Sequence, residues 1–223
     1  MGAPVHKLKL HEIRWLASHR CHKHRHPYLV HYNCYLEECG IPEKVGFLDI
    51  EAGHLKANIG IMYSWCIKQL DGEIYWGILR RADIKEEEPD KRILKSCIAN
   101  MRKYDRIVVY YGKDRRMDIP FIRTRALICG LDFPQYQEIK ITDLYDVAKN
   151  KLSQNRYRQD TVCRTILGET EKTYIEWKYW RKAGTGDKKS LDYILEHNKA
   201  DVRDLERLYK KLVRFVRKSN TSI

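Results

Sequence analysis

Four acidic residues in three distant segments place the strongest constraint on how this chain can fold. Asp49 and Glu51 lie in the apolar run Phe-Leu-Asp-Ile-Glu. Asp118 lies in Met-Asp-Ile-Pro-Phe, and Asp201 ends the run His-Asn-Lys-Ala-Asp. Burying a carboxylate is costly unless it is paired or binds a metal. A fold that brings the three segments together would therefore create a shared cation site, and oxygen ligands favour Mg²⁺ or Mn²⁺ there.

The segment that holds the first two carboxylates predicts a β-strand over residues 45 to 52. Residues two apart in a strand point to the same face, so Asp49 and Glu51 should share a face with Phe47. The simpler alternative is an acidic pair on the solvent face of an edge strand. The neighbouring residues are too apolar for a solvated face, and this favours the buried interpretation.

The other two segments each predict a helix. Asp118 precedes Pro120 by two residues, and proline is tolerated in a first helical turn. Capping the helix would explain this aspartate by itself. Apolar residues at spacings of four and three predict a long amphipathic helix over residues 191 to 215. His197 and Asp201 share a face of that helix, either as a surface pair or as a general base beside a metal ligand.

The order of the predicted elements indicates an α/β fold. Three strands come first, over residues 45 to 52, 58 to 68 and 73 to 79. A helix, a strand, a helix and a strand follow, over residues 86 to 103, 106 to 111, 118 to 129 and 138 to 143. The remainder is predicted to be helical. We therefore expect a mixed five-stranded sheet flanked by helices over residues 43 to 223, preceded by a small segment of different composition over residues 1 to 42.

The three acidic segments resemble the motifs of the DEDD-type (DnaQ-like) 3′–5′ exonucleases, which have a ribonuclease H-like fold. The first motif of that superfamily, Asp-x-Glu, is matched by Asp49 and Glu51. The second places an aspartate before a short apolar run and is matched by Asp118. The third ends in an aspartate preceded by histidine or tyrosine, matched by His197 and Asp201. Three motifs in the right order, on fitting elements, make the resemblance specific.

The resemblance covers about residues 44 to 215 and looks closest to a predicted-exonuclease branch of bacteria and phages. It implies two Mg²⁺ or Mn²⁺ ions held by the four carboxylates, with His197 as the base that acts on water. His197 lies four residues before the last aspartate, which is the spacing of the tyrosine subtype. Tyr193, one turn earlier, is therefore the alternative base.

The implied function is metal-dependent 3′–5′ hydrolysis of DNA, at single-stranded ends, with a polymerase or another replication or repair protein as a possible partner. DNA is preferred over RNA as the expected substrate. Two alternatives stay open. One is an endonuclease or RNA-processing nuclease on the same fold, and the other is a non-catalytic nucleic-acid binding protein that uses a zinc-binding segment within residues 1 to 42.

The N-terminal segment is rich in potential zinc ligands. Residues 1 to 42 contain seven of the nine histidines, namely His6, His11, His19, His22, His24, His26 and His31. Cys21, His26, His31 and Cys34 have a spacing that a tetrahedral Zn²⁺ site could use. His24 and Cys39 are possible substitutes. The alternative is a basic, histidine-rich arm with reduced thiols.

Charge and composition point to an intracellular protein that binds a polyanion. The net charge is +13, which favours nucleic acid as the partner. No apolar run approaches the length of a membrane span. Because the seven cysteines come without a secretory signal, we expect a cytoplasmic protein of a prokaryote or phage. Expected contacts to the nucleic acid are His54, Lys56 and Asn58, just after the first motif, and Arg123, near the second.

Overall fold

A computed structural model describes residues 9 to 114, 116 to 136 and 138 to 216 of the chain. His6 lies outside these ranges. The chain divides into two compact units, Met1–Glu43 and Lys44–Ile223. No helix in the described ranges is both long and apolar enough to cross a bilayer.

The first unit contains two short helices, α1 (Leu10–Ser18) and α2 (Tyr32–Glu38). Between them the chain reverses direction through a tight turn, in which the backbone N–H of Cys21 donates to the carbonyl of His26 at 2.9 Å. Its buried residues are few and include two cysteines: Leu16, Cys21, Tyr28, Cys34 and Leu36. A core of this size contributes little to stability by itself.

The second unit is built on one mixed sheet, which confirms the predicted five-stranded ribonuclease H-like fold. Its strands are β1 (Val45–Ala52), β2 (Met62–Gln69), β3 (Ile74–Ile78), β4 (Arg106–Val109) and β5 (Lys140–Asp143). Their order across the sheet is β3-β2-β1-β4-β5. The first three strands are antiparallel, whereas β4 runs parallel to both β1 and β5. The strand that carries the Asp-x-Glu pair is therefore central.

Helices cover both faces of this sheet. They are α3 (Lys91–Met101), α4 (Asp118–Ile128), α5 (Leu144–Lys151), α6 (Gln159–Leu167), α7 (Trp177–Ala183) and α8 (Lys188–Leu212). Alternate residues of β1 enter different apolar cores, because successive strand residues point to opposite faces. Leu48 and Ile50 pack in the core that includes α3 and α4. Phe47 packs with α5, α6 and α8, and its ring meets Tyr209 edge-on at 5.3 Å.

The largest boundary errors are at the starts of two predicted elements. β2 begins at Met62 instead of residue 58, because residues 53 to 60 form a loop in which the N–H of Gly60 bonds back to Lys56 at 2.9 Å. The helix predicted from residue 86 begins at Lys91. The acidic residues before it are held elsewhere: Asp90 accepts a hydrogen bond from the backbone N–H of Met62 at 2.9 Å.

Candidate functional site

The first and third acidic motifs meet between β1 and α8. Asp49 and Glu51 occupy the face of β1 that α8 covers, and Asp201 is buried on the facing side of that helix. One carboxylate oxygen from each of the three residues lies within 4.8 Å of the others. Two buried oxygens of this group, Asp49 Oδ2 and Asp201 Oδ1, receive no hydrogen bond from any described residue. Buried oxygens without donors, facing one another, are the donor set that a hard divalent cation requires.

The second motif approaches the first through the backbone of β1. Asp118 begins α4, and its Oδ1 accepts a hydrogen bond from the N–H of Ile50 at 3.3 Å. It lies outside the group of three, but its negative charge acts on both residues of the first motif. The close packing requires glycine at position 112, because a Cβ there would lie 2.0 Å from Asp118 Oδ2.

The loop that carries this glycine is held by Asp143, at the end of β5. The carboxylate accepts hydrogen bonds from the backbone N–H groups of Tyr111, Gly112 and Lys113 at 2.9, 3.1 and 3.1 Å. It also pairs with Arg116 at 2.6 Å. Asp143 thus acts as a loop anchor that places Asp118, a supporting role that its position at the end of a predicted strand is consistent with.

The carboxylates of the site resist ionisation because they are buried together. Burial and the charges of Asp201 and Asp118 raise the pKa of Asp49 well above its ordinary value. Burial and the charge of Asp201 raise the pKa of Glu51 to about 8. Burial also raises the pKa of Asp118 to about 7, although the hydrogen bond from Ile50 opposes the shift. Such a group gains most from a cation, which favours the ionised form of every carboxylate around it.

Lys172 is a member of the site that sequence reasoning missed. It lies in the loop between α6 and α7, and its Nζ donates to Asp201 Oδ2. Its charge opposes the rise in pKa of both Asp49 and Glu51, so it faces the whole group of carboxylates. The flanking sequence, Glu-Lys-Thr-Tyr, has no periodicity and belongs to no motif, so nothing local marks this lysine.

His197 is buried one helical turn before Asp201. The hydroxyl of Thr173 contacts its ring, touching Nδ1 and lying 3.2 Å from Nε2. The ring also meets Tyr193 edge-on, with centroids 4.6 Å apart. Burial and the nearby charge of Lys172 lower the pKa of His197 below its ordinary value, so the imidazole is neutral at pH 7.

The predicted nucleic-acid contacts fall in two places. His54, Lys56 and Asn58 are exposed in the loop that follows Glu51. Arg123, on α4, lies over the ring of Phe133 at 5.4 Å.

Arg125, on the same helix as Arg123, shows that a basic residue near the second motif can be buried instead of facing a nucleic acid. Arg125 is buried, and it bonds to Asp90 Oδ1 at 2.6 Å and also contacts Glu88. Glu88, Asp90 and Cys129 form a possible metal group by distance. The Arg125 guanidinium already pairs with both of its carboxylates.

The first unit brings together a second set of metal-ligand side chains. Ligand atoms of Cys21, His24, His31 and Cys34 all lie within 4.8 Å of one another. The Sγ of Cys34 is 3.3 Å from His24 Nδ1 and 3.4 Å from His31 Nδ1, and the Sγ of Cys21 is 3.7 Å from the latter. In a tetrahedral Zn²⁺ site, ligand bonds of about 2.3 and 2.0 Å separate sulfur from nitrogen by about 3.5 Å. The observed distances bracket that value.

The grouping differs from the predicted one at a single position, since His24 stands in the place expected for His26. The backbone turn explains the difference. Arg25 adopts a positive φ of 60°, and the carbonyl of His26 is engaged by the N–H of Cys21. The His26 ring instead contacts His31, with Nδ1 3.3 Å from His31 Nε2. His26 is therefore placed to orient a ligand histidine from outside the group.

Comparisons with known proteins find the same fold. A sequence search of curated proteins returns no significant match. Among solved structures, the family B DNA polymerase from the hyperthermophilic archaeon Pyrobaculum calidifontis is similar, with a TM-score of 0.62 at 20% sequence identity. The similarity covers 77% of this chain and 25% of the polymerase chain, and at this identity it concerns the fold alone. A family model of the RNase H superfamily matches residues 46–213. The chain therefore belongs to the RNase H superfamily.

Proposed function

We propose that the chain is a metal-dependent 3′–5′ exonuclease that hydrolyses phosphodiester bonds of DNA at single-stranded ends. The observation that carries the proposal is the group formed by Asp49, Glu51 and Asp201, with two buried oxygens that no described residue satisfies. The RNase H superfamily fold, with the group on its central strand, supports a nuclease.

The donor set fits two Mg²⁺ or Mn²⁺ ions, because it consists only of carboxylate oxygens. Asp49, Glu51, Asp118 and Asp201 would hold the ions. When bound, the ions would stabilise the negative charge that develops on the phosphodiester during hydrolysis. The carboxylates hold that charge-stabilising centre on a strand and two helices, which are more rigid than loops.

His197 would accept a proton from the attacking water. A general base must be unprotonated at the working pH, and the lowered pKa of this imidazole meets that condition. The contact from the Thr173 hydroxyl holds the ring in place beside Asp201. Tyr193, which packs on the same ring, is the alternative group on this helix.

Single-stranded DNA ends fit the surface around the site. Tyr179 packs against Tyr193 at 4.3 Å, and Tyr193 packs against His197, so aromatic rings run from α7 to the candidate base. Trp177, on the same helix, is 70% exposed. Aromatic side chains in a basic protein bind unpaired bases by stacking. The solved structure with a similar fold is a DNA polymerase, and by analogy with it we propose DNA as the substrate and a polymerase or another replication or repair protein as the partner.

The test is incubation of the purified protein with end-labelled single- and double-stranded DNA and RNA, in Mg²⁺, Mn²⁺ or EDTA. A ladder that shortens by one nucleotide from the 3′ end of DNA, absent in EDTA, is expected. Discrete internal products would instead favour an endonuclease, and binding without any cleavage would favour a non-catalytic binding protein.

A matched pair of variants separates this activity from contamination. Asp49→Asn should lower the rate at least about 10³-fold, because a metal centre contributes several kcal/mol to the transition state. Asp192→Asn makes the same change on an exposed part of α8, where the aspartate pairs only with Lys188 among described residues, and should leave the rate unchanged. Near-normal Mg²⁺-dependent hydrolysis by the Asp49→Asn variant would contradict the assignment.

We also propose that the first unit binds one structural Zn²⁺ through Cys21, His24, His31 and Cys34. Burial raises the pKa of the Cys21 thiol, but hydrogen bonds from the backbone at His24 and His26 oppose it and the pKa is lowered, whereas burial and the neighbouring Cys21 raise the pKa of Cys34. Burial and the neighbouring histidines lower the pKa of His31. Thiolate and neutral imidazole are the forms that bind zinc.

A further inference from the structure

Residues 169 to 173, here called the strap, are tied along α8. Asp204 is fully buried in α8, and its Oδ2 accepts hydrogen bonds from the hydroxyl of Thr170 at 2.6 Å and from the backbone N–H of Glu171 at 2.9 Å. The side chain of Glu171 pairs with Arg203 at 2.6 Å. These contacts fix the beginning of the strap on the helix.

The end of the strap reaches the two functional residues of the same helix. Lys172 contacts Asp201, and Thr173 contacts His197. The strap therefore runs antiparallel to α8, and its successive residues meet Asp204, Asp201 and His197, which are about one turn apart. Lys172 and Thr173 are adjacent in the chain, so a movement of Lys172 would reach the His197 ring through Thr173.

Lys172 occupies a position where a cation is required. Its Nζ binds the carboxylate of Asp201, and its charge also acts on Asp49 and Glu51. Its side chain is 32% exposed, so solvent screens this contact only in part. The ammonium holds Asp201 Oδ2, and the buried Oδ1 of the same carboxylate has no donor among the described residues. A divalent ion bound at Oδ1 would therefore share one carboxylate with the ammonium, and two cations that close together repel each other strongly.

We propose that Lys172 is a built-in counter-ion that exchanges with the catalytic metal: binding of a divalent ion at Asp201 expels the lysine ammonium from the carboxylate group. The proposal rests on the proposed metal site. The displaced ammonium remains on a strap whose other contacts to Asp204 persist, so it stays beside the site, where the phosphate of a DNA strand would be its natural partner. Metal binding would in this way free one cation for the substrate.

Metal affinity tests the exchange without reference to hydrolysis. Mn²⁺ binding to the full chain is measured by calorimetry or by the electron paramagnetic resonance of free Mn²⁺. Lys172→Met should bind Mn²⁺ roughly tenfold more tightly than the unaltered protein, a coupling typical of two ligands that oppose each other. The control is Lys188→Met, which removes the same charge from a lysine 87% exposed on α8 and should leave the affinity unchanged.

A second measurement uses the unaltered protein and so does not depend on how the variant folds. Brief acetylation with a small amine-reactive ester, followed by mass spectrometry, reports the accessibility of each lysine. Mn²⁺ should raise the acetylation rate of Lys172 roughly fivefold or more, as expected for loss of a competing contact. The rate at Lys188 should not change.

The outcomes separate two failures. In the first, Asp49→Asn abolishes Mn²⁺ binding, but Lys172→Met does not raise the affinity for Mn²⁺ and Mn²⁺ does not raise the acetylation rate of Lys172. The metal site then stands and the exchange is wrong. If neither the unaltered protein nor the Lys172→Met variant binds Mn²⁺, the metal site and the exchange both fail.

Discussion

The two candidate metal groups of this chain are built in opposite ways. The carboxylates of the second unit come from segments about 150 residues apart and meet because a large apolar core holds β1 against α8. The cysteines and histidines of the first unit lie within 14 residues of one another, and the two cysteines are themselves part of its small core. The apolar core of the second unit holds its carboxylates together without a metal. The core of the first unit is small, so a bound metal would be needed to fold it. Removing metal should therefore have different consequences in the two places.

The largest expected effect is on the first unit. Structural Zn²⁺ in small domains contributes about 10–16 kcal/mol of binding free energy, and that energy drives folding. The double variant Cys21→Ser, Cys34→Ser should therefore lose bound zinc and unfold the first unit. Elemental analysis and hydrogen exchange of residues 9 to 43 are the measurements.

The second unit is the internal control for that experiment. Its hydrogen-exchange protection, and its kcat on a DNA end, should be close to those of the unaltered protein. Zinc well below one equivalent before any substitution, with unchanged protection afterwards, would show that the first unit is a basic arm with reduced thiols. Comparison of His24→Ala with His26→Ala then shows which histidine binds zinc. Only His24→Ala should lower the zinc content.

The next effect concerns the base beside the carboxylates. His197→Ala should lower kcat by roughly two to four orders of magnitude, the usual range for a lost general base, with a much smaller change in KM. Tyr193→Phe keeps the ring that packs on His197 and removes only the hydroxyl, so it should be nearly silent. The reverse result would assign the base to Tyr193.

A smaller effect is expected when the space beside Asp118, in the second motif, is filled. Gly112→Ala places a methyl group where Asp118 Oδ2 now lies, so the carboxylate must move away from Ile50. Displacing a metal-site residue by its neighbour typically costs about 10- to 100-fold, and we expect about that loss in Mg²⁺-dependent rate. The thermal transition should also fall, because Gly112 is buried and the added methyl group would lie 2.9 Å from the Cβ of Val109. An unchanged rate would mean that Asp118 tolerates a second position.

The smallest expected effect concerns Glu206, a buried carboxylate whose charge is balanced by protein groups instead of a metal. Glu206 accepts hydrogen bonds from the N–H of Asp71 at 2.7 Å and pairs with Lys68 and Lys210 at 3.0 and 3.1 Å. Burial would raise its pKa, but these partners lower it below the ordinary value of 4.5. Because the pKa is lower in the folded state, the group stabilises the fold above that value, and the contribution is lost as pH falls further.

Glu206→Gln should accordingly cost about 1 kcal/mol at pH 7 and almost nothing in strong acid. Denaturant titration of both proteins between pH 7 and pH 3 is the measurement. A difference that stays constant across that range would mean that the loss is one of packing and not of charge.

The sequence by itself determined the parts of this protein that depend on local periodicity. Alternating polarity placed Asp49, Glu51 and Phe47 on one face of β1, and the structure packs that face on α8. Helical spacing placed His197 and Asp201 on one side of a long helix. The order of strands and helices was sufficient for the mixed sheet, because few topologies accommodate that order.

Only the tertiary structure decided which partners those residues meet. Lys172 reaches Asp201 because Asp204 holds the strap on α8, and Arg125 turns inward because Asp90 and Glu88 neutralise it. The choice of His24 over His26 depends on a turn at Arg25 that no local pattern announces. Local sequence sets the direction in which a side chain leaves the backbone. The partner of that side chain is set by the chain segments that packing brings together. Contacts between distant segments leave no periodic pattern in the sequence.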